Sequence, residues 1–344
     1  MEAFYTQKLL QKNHQSDEHF EGPFSFVAVK GKLRNHKERK RMNPLTHFRK
    51  IRILPLLSLG AIFALVTAAH AQNLYVSANV PGGNHAIFEY TPTGTQSTYA
   101  TGLDNPRGLA FDSIGNLFAT IAHNADDIDL GKVLKFNPRN HVNTVGSAAH
   151  FFFEGLAIDI AGNAYVMATD DRSPTGASTI FKFTPNGDRI VFGSIPGQGW
   201  GLAFDSTGNL YAAEGGINFG GERAIYKFAP DGTRTVFAGP SEFAEGEYPI
   251  GLAFDSSSGN LYVSIETFTD PGADSIVYFT PMGAKSIFAI GLTTPRGLAF
   301  DSFGNLFVAE AITNGPILKF TGGVQSTFAS SPGRPEFLTF GPPR

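Results

Sequence analysis

Short apolar runs alternate with turn-forming residues along the chain from residue 73 onward. Each run is rich in Phe, Tyr, Val and Ile, and Gly, Pro, Asn or Asp bounds it on both sides, which is the pattern of a β-strand. No segment keeps the period of an amphipathic helix. The pattern therefore predicts an all-β protein.

One phrase, G-[LI]-A-[FI]-D-x-x-G-N, recurs along this region. Its copies are Gly108–Asn116, Gly155–Asn163, Gly201–Asn209, Gly297–Asn305 and a one-residue-longer copy, Gly251–Asn260. Their aspartates are 46 to 50 residues apart. Three more strand-like runs follow each phrase, as "NLFAT", "VLKF" and "NTV" do in the first copy. Four strands per repeat at this period predict the blades of a β-propeller.

The two ends of this region complement each other. The runs Asn73–Asn79, Ile87–Pro92 and Ser97–Ala100 are the second, third and fourth strands of a blade that lacks its first. The run Arg334–Gly341 is a first strand that lacks the others. Joined, they complete a sixth blade and leave no open sheet edge in the ring. We predict one six-bladed propeller over 72–344, closed by the C-terminal innermost strand.

A different composition precedes the propeller. Basic residues lead into the apolar stretch Ile53–Ala69, and Ala69-His70-Ala71 follows as a small-x-small cleavage pattern. These features predict a signal peptide at 42–71, with Met42 as the start, and a non-native or disordered extension at 1–41. An uncleaved anchor is the alternative, because the stretch approaches the ~18 residues that span a bilayer. Cleavage would make the protein secreted or periplasmic, with no membrane partner.

Charge and composition exclude some classes of partner and of catalytic site. Residues 1–71 carry 12 Lys and Arg against 5 Asp and Glu, whereas the remainder carries 15 against 25. An acidic mature chain argues against nucleic acid, because phosphate binding needs a positive surface. The absence of cysteine excludes a disulfide framework and a Cys nucleophile. We expect a monomer.

Topology separates uniform turns from variable loops. The D-x-x-G-N and T-P-x-G turns lie on one face, where Asp can accept backbone N–H groups and Gly adopts a positive φ. A repeated Ca²⁺ site is the alternative for these aspartates. The opposite face receives loops that differ in length, which is where binding usually occurs. These loops are Asn79–His85, Ile121–Gly131, Ala168–Ser178, Glu214–Arg223, Ile265–Asp274 and Glu310–Gly315.

One position on the variable face precedes the first residue of each repeat phrase. Its residues are Arg107, Glu154, Trp200, Ile250, Arg296 and, in the closing strand, Glu336. If the innermost strands line a channel, these residues form a ring at its mouth. Guanidinium groups, carboxylates and the chain's only Trp would suit a polar small molecule. The alternative is that the charges pair with one another.

A metal site is a further possibility on this face. Glu154, Glu214 and Glu310 are candidate ligands, with Ca²⁺ as the candidate ion. Glu214 and Glu310 end the second strands of their blades at equivalent positions, and Glu266 sits one residue further on. These carboxylates could instead act as a general acid and base, or be solvated strand ends. Further groups on or near this face, weaker candidates for a metal, are His85, His123, His150, Asp126, Asp127, Asp129, Asp170 and Asp171.

The unit "GLAFDSxGNLYVA…IYKFxPDG…TVFA" resembles the NHL repeat over residues 73–341. It is also similar to six-bladed propellers of the senescence-marker-protein and gluconolactonase group and to streptogramin B lyases. The resemblance implies a six-bladed fold and, for the lactonase-like group, a divalent metal in the central channel. It places Glu154, in "FEGLAID", where that group has its first metal ligand.

These observations lead to one expected function and two alternatives. We expect an exported propeller that binds a small molecule, glycan or protein at the mouth and variable loops, with Arg107, Glu154, Trp200, Arg296 and Glu336 as the binding residues. The first alternative is a metal-dependent lactonase, hydrolase or lyase that uses Glu154, Glu214, Glu310 and Glu336. The second is a purely structural surface protein.

Overall fold

The strands form six four-stranded antiparallel sheets, the blades of one propeller. The computed structural model describes residues 71–122, 130–216, 221–267 and 272–343. Within these ranges the only helix is a short 3₁₀ segment, Pro240–Glu242, and nothing helical there could span a membrane. The predicted all-β class and six-bladed architecture are confirmed.

The strands follow the chain blade by blade, from the innermost strand outward. Blade I receives β1 (Leu74–Asn79), β2 (His85–Tyr90) and β3 (Gln96–Leu103). Blade II has β4 (Pro106–Phe111), β5 (Leu117–Ile121), β6 (Leu130–Phe136) and β7 (Val142–Ala149). Blade III has β8 (Phe151–Ile158), β9 (Ala164–Asp170), β10 (Ser178–Phe183) and β11 (Arg189–Ile195).

The second half repeats the arrangement. Blade IV has β12 (Gly199–Phe204), β13 (Leu210–Glu214), β14 (Ala224–Phe228) and β15 (Arg234–Ala238). Blade V has β16 (Glu247–Phe254), β17 (Leu261–Thr267), β18 (Asp274–Phe279) and β19 (Lys285–Leu292). Blade VI has β20 (Pro295–Phe300), β21 (Leu306–Glu310), β22 (Pro316–Thr321) and β23 (Val324–Ser330).

The last strand, β24 (Arg334–Phe340), closes the ring. It pairs antiparallel with β1, from Leu74 opposite Phe340 to Asn79 opposite Arg334, and becomes the innermost strand of blade I. The predicted closure by strands from both chain ends is therefore confirmed.

The core lies between neighbouring blades. One cluster joins Met167 and Ile180 of blade III to Leu210 and Phe228 of blade IV. Aromatic rings meet edge to face across these interfaces, as Tyr165 and Phe204 do at 5.1 Å between ring centroids. Packing of this kind explains the abundance of Phe, because each ring buries a large apolar area.

The repeated glycines lie where the innermost strands come closest together. A Cβ atom at Gly251 would lie 1.8 Å from the carbonyl oxygen of Arg296, and one at Gly155 would lie 2.1 Å from that of Trp200. Only a residue without a side chain fits at these positions. In β24 the equivalent residue is Phe337, which lines the channel together with leucines from all six innermost strands. The cavity that remains there has a volume of about 60 Å³.

The turns that contain Asp112, Asp159, Asp205, Asp255 and Asp301 lie together on one face, called here the turn face. In the first of them, Asp112 Oδ1 accepts hydrogen bonds from the backbone N–H groups of Ile114 and Asn116, and Oδ2 accepts one from Asn116 Nδ2. Gly115 has a φ of +85°. This is the turn that the sequence predicts.

Several sequence predictions lie outside the described residues. They include the 1–41 extension, the signal peptide or anchor up to residue 70, and His123, Asp126, Asp127 and Asp129. Parts of three variable loops, at 123–129, 217–220 and 268–271, also lie outside them.

Candidate functional site

Each ring residue sits in a β-bulge of its innermost strand. In blade II, Arg107 and Gly108 together stand opposite Thr120, between the paired residues Pro106–Ile121 and Leu109–Ala119. The same two-against-one offset occurs in every blade. A bulge bends its strand and redirects the side chain it carries. The bulges place the residues predicted from the sequence at one end of the channel, on the face opposite the turns, called here the mouth.

Glu336 is the centre of the mouth and is fully buried. Its Oε2 atom lies 2.6 Å from Nη1 of Arg296 and 2.8 Å from Nη1 of Arg107. Its Oε1 atom lies 3.0 Å from Arg334 Nε and accepts a 3.0 Å hydrogen bond from Asn79 Nδ2. Burial alone would raise the pKa of Glu336, but the three guanidinium groups hold it below its ordinary value. Glu336 is therefore an ionised carboxylate.

Arg296 connects Glu336 to two further groups. Its Nε atom donates a 2.7 Å hydrogen bond to Glu266 Oε1, and its guanidinium carbon lies 5.1 Å from the centre of the Trp200 ring. Burial opposes the charge of Arg296, but Glu336 and Glu266 outweigh this and raise its pKa. Arg296 thus links blades I, IV and V to its own blade VI through a buried, permanently charged side chain.

Glu154 completes the chain of charges on the other side. It is buried, and its Oε2 atom lies 3.7 Å from Nε of Arg107. Burial raises the pKa of Glu154, and the nearby Arg107 offsets this only in part. Burial likewise raises the pKa of Glu266, against the effect of Arg296. The mouth therefore contains carboxyl groups whose pKa values shift in opposite directions, since that of Glu336 is lowered and those of Glu154 and Glu266 are raised.

Several buried polar atoms at the mouth have no hydrogen-bond partner in the protein. They include Trp200 Nε1, Glu154 Oε2, Glu266 Oε2 and Asn79 Oδ1. Nη1 of Arg107 approaches Glu336 without the alignment of a hydrogen bond. The side chains of Arg107 and Arg334 are 14% and 40% exposed, so the network reaches solvent beside them. Buried polar groups in folded proteins normally find a partner, and water or a ligand would supply it here.

Glu214 and Glu310 lie away from this network. Glu214 Oε1 accepts the backbone N–H of Glu222 at 2.9 Å, and Glu310 Oε1 accepts that of Thr293 at 2.8 Å. Burial raises the pKa of both carboxyls. Each of them supports a loop of the mouth face.

A one-residue offset explains why Glu266 reaches the mouth whereas these two do not. Glu214 and Glu310 stand opposite Gly199 and Pro295, the residues just before the bulge. Glu266 pairs with Tyr248, one step further from the bulge. Successive side chains of a strand point to opposite faces of the sheet. The offset therefore turns Glu266 toward Arg296 of the next blade.

The candidate metal ligands do not form a cluster in the part of the chain that the structure describes. No three His, Asp or Glu side chains there are arranged to hold a metal ion. His85 Nδ1 accepts the backbone N–H of Val80 at 3.1 Å. His150 Nδ1 lies 3.8 Å from Asp171, and Asp170 hydrogen-bonds Arg172. Each of these groups has a local protein partner.

Two members of the network were not singled out from the sequence, Asn79 and Arg334. Asn79 ends β1 and pairs with Arg334 at the start of β24, so both join the mouth only through ring closure. Asn79 occupies in blade I the same position relative to the bulge as Glu266 in blade V. Alignment of the second strands of the six repeats would have identified it.

Comparisons with known proteins agree with this fold. No protein-family model and none of the curated proteins matches the chain. Among solved structures, TolB from Acinetobacter baumannii is similar over 82% of this chain and 70% of its own, with a TM-score of 0.63 and 12% identity. A gluconolactonase from Xanthomonas campestris is similar over 78% and 95%, with a TM-score of 0.53 and 16% identity.

A third similar structure is a protein of unknown function from Bacteroides caccae. It covers 78% of this chain and 98% of its own, with a TM-score of 0.52 and 13% identity. At these identities the likeness concerns the fold alone. The chain thus has a six-bladed propeller fold that it shares with TolB and with gluconolactonase-like proteins.

Proposed function

We propose that this protein binds a small polar molecule, such as a sugar or a sugar acid, at the mouth of the propeller. The observation that carries the proposal is the set of buried donors and acceptors at the mouth that have no hydrogen-bond partner in the protein. A buried polar atom without a partner costs free energy, so a ligand that supplies the missing bonds would be favoured.

The chemistry of these atoms defines the ligand class. Trp200 and the two solvent-reaching arginines, Arg107 and Arg334, offer N–H donors, whereas Glu154, Glu266 and Asn79 offer acceptors. A hydroxyl group both donates and accepts, so a polyhydroxylated molecule can meet both kinds of atom. A carboxylate on the same molecule would be attracted to the arginines on the exposed side.

The test is a thermal-shift screen of neutral monosaccharides, aldonic acids and uronic acids. A ligand at 100 times its Kd should stabilise the protein by roughly 2.7 kcal/mol. For any ligand found, Arg107→Gln should weaken binding about tenfold or more, whereas Arg139→Gln, on an exposed turn-face turn, should leave it unchanged. Equal affinity of both variants would remove the mouth as the binding site.

Metal-dependent lactonase or lyase chemistry remains the alternative function. It is supported by the fold shared with a gluconolactonase, and its first candidate ligand, Glu154, is a buried carboxyl at the mouth. Addition of Ca²⁺, Mg²⁺, Mn²⁺ or Zn²⁺ to EDTA-treated protein tests it. A rise in Tm that Glu154→Gln abolishes would favour the enzyme, whereas no rise with any ion would leave the binding function.

Export belongs to the same proposal. The basic, apolar and Ala-x-Ala segments at 42–71 support cleavage after Ala71 and a secreted or periplasmic monomer. Edman sequencing of the protein from the producing cells tests this, with Gln72 as the expected first residue. A retained apolar segment would instead support an anchored form.

A further inference from the structure

Among the residues that the structure describes, the large exposed apolar side chains are concentrated on the turn face. At the tips of turn-face turns, Ile160 is 96% exposed, Met282 93%, Ile114 75% and Phe303 58%. Val142 and Val324 are also exposed and begin outer strands directly after turns on this face.

The mouth face differs in this respect. Among the described residues, its one large exposed apolar side chain is Ile312, at 38%. The remaining exposed apolar residues lie within outermost strands: Ile190, Val191, Val236, Ile287 and Ile290. Single exposed apolar residues are normal, but a set that projects from the turn tips of one face indicates an interaction surface.

The chain also enters the propeller on the turn face. Gln72 Nε2 donates to the carbonyl of Gly341 at 2.7 Å, and Gln72 Oε1 accepts the backbone N–H of Ser302 at 3.1 Å. Ala71, Gln72 and Phe303 line one cleft of about 260 Å³. In the sequence, only His70 separates Ala71 from the apolar stretch Ile53–Ala69. In the sequence, the apolar stretch therefore immediately precedes the point where the chain enters the turn face.

Three of the repeated aspartates on this face are paired with lysines. Lys135 lies 3.8 Å from Asp112, Lys182 4.0 Å from Asp159, and Lys227 3.8 Å from Asp205. These pairs lower the negative charge that would oppose approach to a lipid surface. Apolar side chains at turn tips can enter the boundary between headgroups and acyl chains, where burial of apolar area favours binding.

We propose that the turn face lies flat against a lipid membrane, with the mouth open to the aqueous side. The proposal concerns the anchored form of the protein, which keeps the apolar stretch that cleavage after Ala71 would remove. It does not depend on the ligand of the mouth.

The test uses full-length protein reconstituted into vesicles of phosphatidylcholine and phosphatidylglycerol at a 4:1 ratio. Three variants each carry one new Trp in a Trp200→Phe background: Phe303→Trp, Ile160→Trp and Ile312→Trp. Phe303 lies beside the chain entry in blade VI, Ile160 projects from blade III on the opposite side of the ring, and Ile312 is the control on the mouth face. Brominated acyl chains then quench a Trp that contacts lipid.

Flat contact of the turn face predicts at least twofold quenching of both Phe303→Trp and Ile160→Trp, and little quenching of Ile312→Trp. Quenching of Phe303→Trp alone would mean that the chain is only tethered, which overturns the proposal. Equal quenching at all three sites, or none, also overturns it. So would a blue-shifted Ile160→Trp emission that depends on protein concentration without lipid, because a second copy would then cover this face.

Discussion

The two faces of the propeller are stabilised in opposite ways. On the turn face, nearly the same hydrogen-bonded turn recurs from blade to blade, and its bonds join residues only two to four positions apart, as in Asp159 with Ala161 and Asn163. At the mouth, the six equivalent bulges carry four residue types, namely Arg, Glu, Trp and Ile. The contacts of the charged residues there join different blades. Arg296 reaches Glu336 across 40 residues, and Asn79 reaches it across 257.

This difference separates local stability from closure of the ring. A turn on the turn face stabilises one hairpin, so the effect of its loss should be confined to one blade. The mouth network and the pairing of β24 with β1 both connect the two ends of the chain. Loss of these contacts should destabilise all six blades, because non-local contacts hold the blades in a closed ring.

Removal of the closing strand should have the largest effect. A chain that ends at Arg334 lacks the innermost strand of blade I and Glu336, the carboxylate at the centre of the mouth. It also leaves β1 as an open sheet edge. We expect that thermal unfolding of this chain, followed by circular dichroism, will no longer occur in one cooperative transition. A control that lacks only Pro342–Arg344 should melt like the parent, and an unchanged Tm for the longer deletion would contradict closure by β24.

Sequence reasoning predicted the parts of the structure that depend on periodicity. The repeat period and the half-blades at the two ends were sufficient for the six blades and their closure, and the position before the repeated Gly identified the ring that contains Arg107 and Glu336. The bulges that redirect these residues depend on strand register, which the repeat does not specify. The same limit applies to Glu214 and Glu266, whose different directions follow from a one-residue offset in pairing.

Loss of the Glu336 carboxylate should have the next largest effect on the stability of the protein. In Glu336→Gln, Arg107, Arg296 and Arg334 would lose their common counter-charge, and Arg296 is itself buried. Removal of one partner from a buried ion network costs about 3–5 kcal/mol. Urea denaturation should show this loss in the free energy of unfolding. The matched turn-face variant, Asp301→Asn, should lose only about 1 kcal/mol, and similar losses in both variants would erase the distinction between the faces.

Addition of a methyl group at a repeated glycine should cause the third largest loss of stability. Gly251→Ala would place a Cβ atom 1.8 Å from the Arg296 carbonyl oxygen, so neighbouring strands would have to move apart. Overpacking of this kind costs about 3 kcal/mol at the upper end of its usual range. Gly291→Ala is the control, since its φ of +76° imposes strain but no atom lies within 4 Å. It should cost about 1–2 kcal/mol, and a larger loss than for Gly251→Ala would show that strand proximity is not limiting.

The smallest and most specific difference between the two faces should be the pH dependence of stability, which we expect to be opposite for Glu154 at the mouth and Asp205 on the turn face. Burial raises the pKa of Glu154, so its contribution to stability is present below the ordinary Glu pKa and is lost as the pH rises through the folded-state pKa. Burial alone would also raise the pKa of Asp205, but hydrogen bonds from Asn209 and Thr207 hold it below its ordinary value. Its contribution is therefore present above the ordinary Asp pKa and is lost as the pH falls.

Urea denaturation of Glu154→Gln and Asp205→Asn from pH 3 to pH 8 can measure this contrast. Relative to the parent, Glu154→Gln should become more stable as the pH rises above about 4.3, because a neutral amide avoids the burial of a charge. Asp205→Asn should be less stable by about 1 kcal/mol at neutral pH, and the deficit should shrink below about 3.9. Parallel curves for the two variants would mean that the fold stabilises the charged form of Glu154, as it does that of Asp205. Arg107 would then outweigh the effect of burial on Glu154, contrary to the expectation.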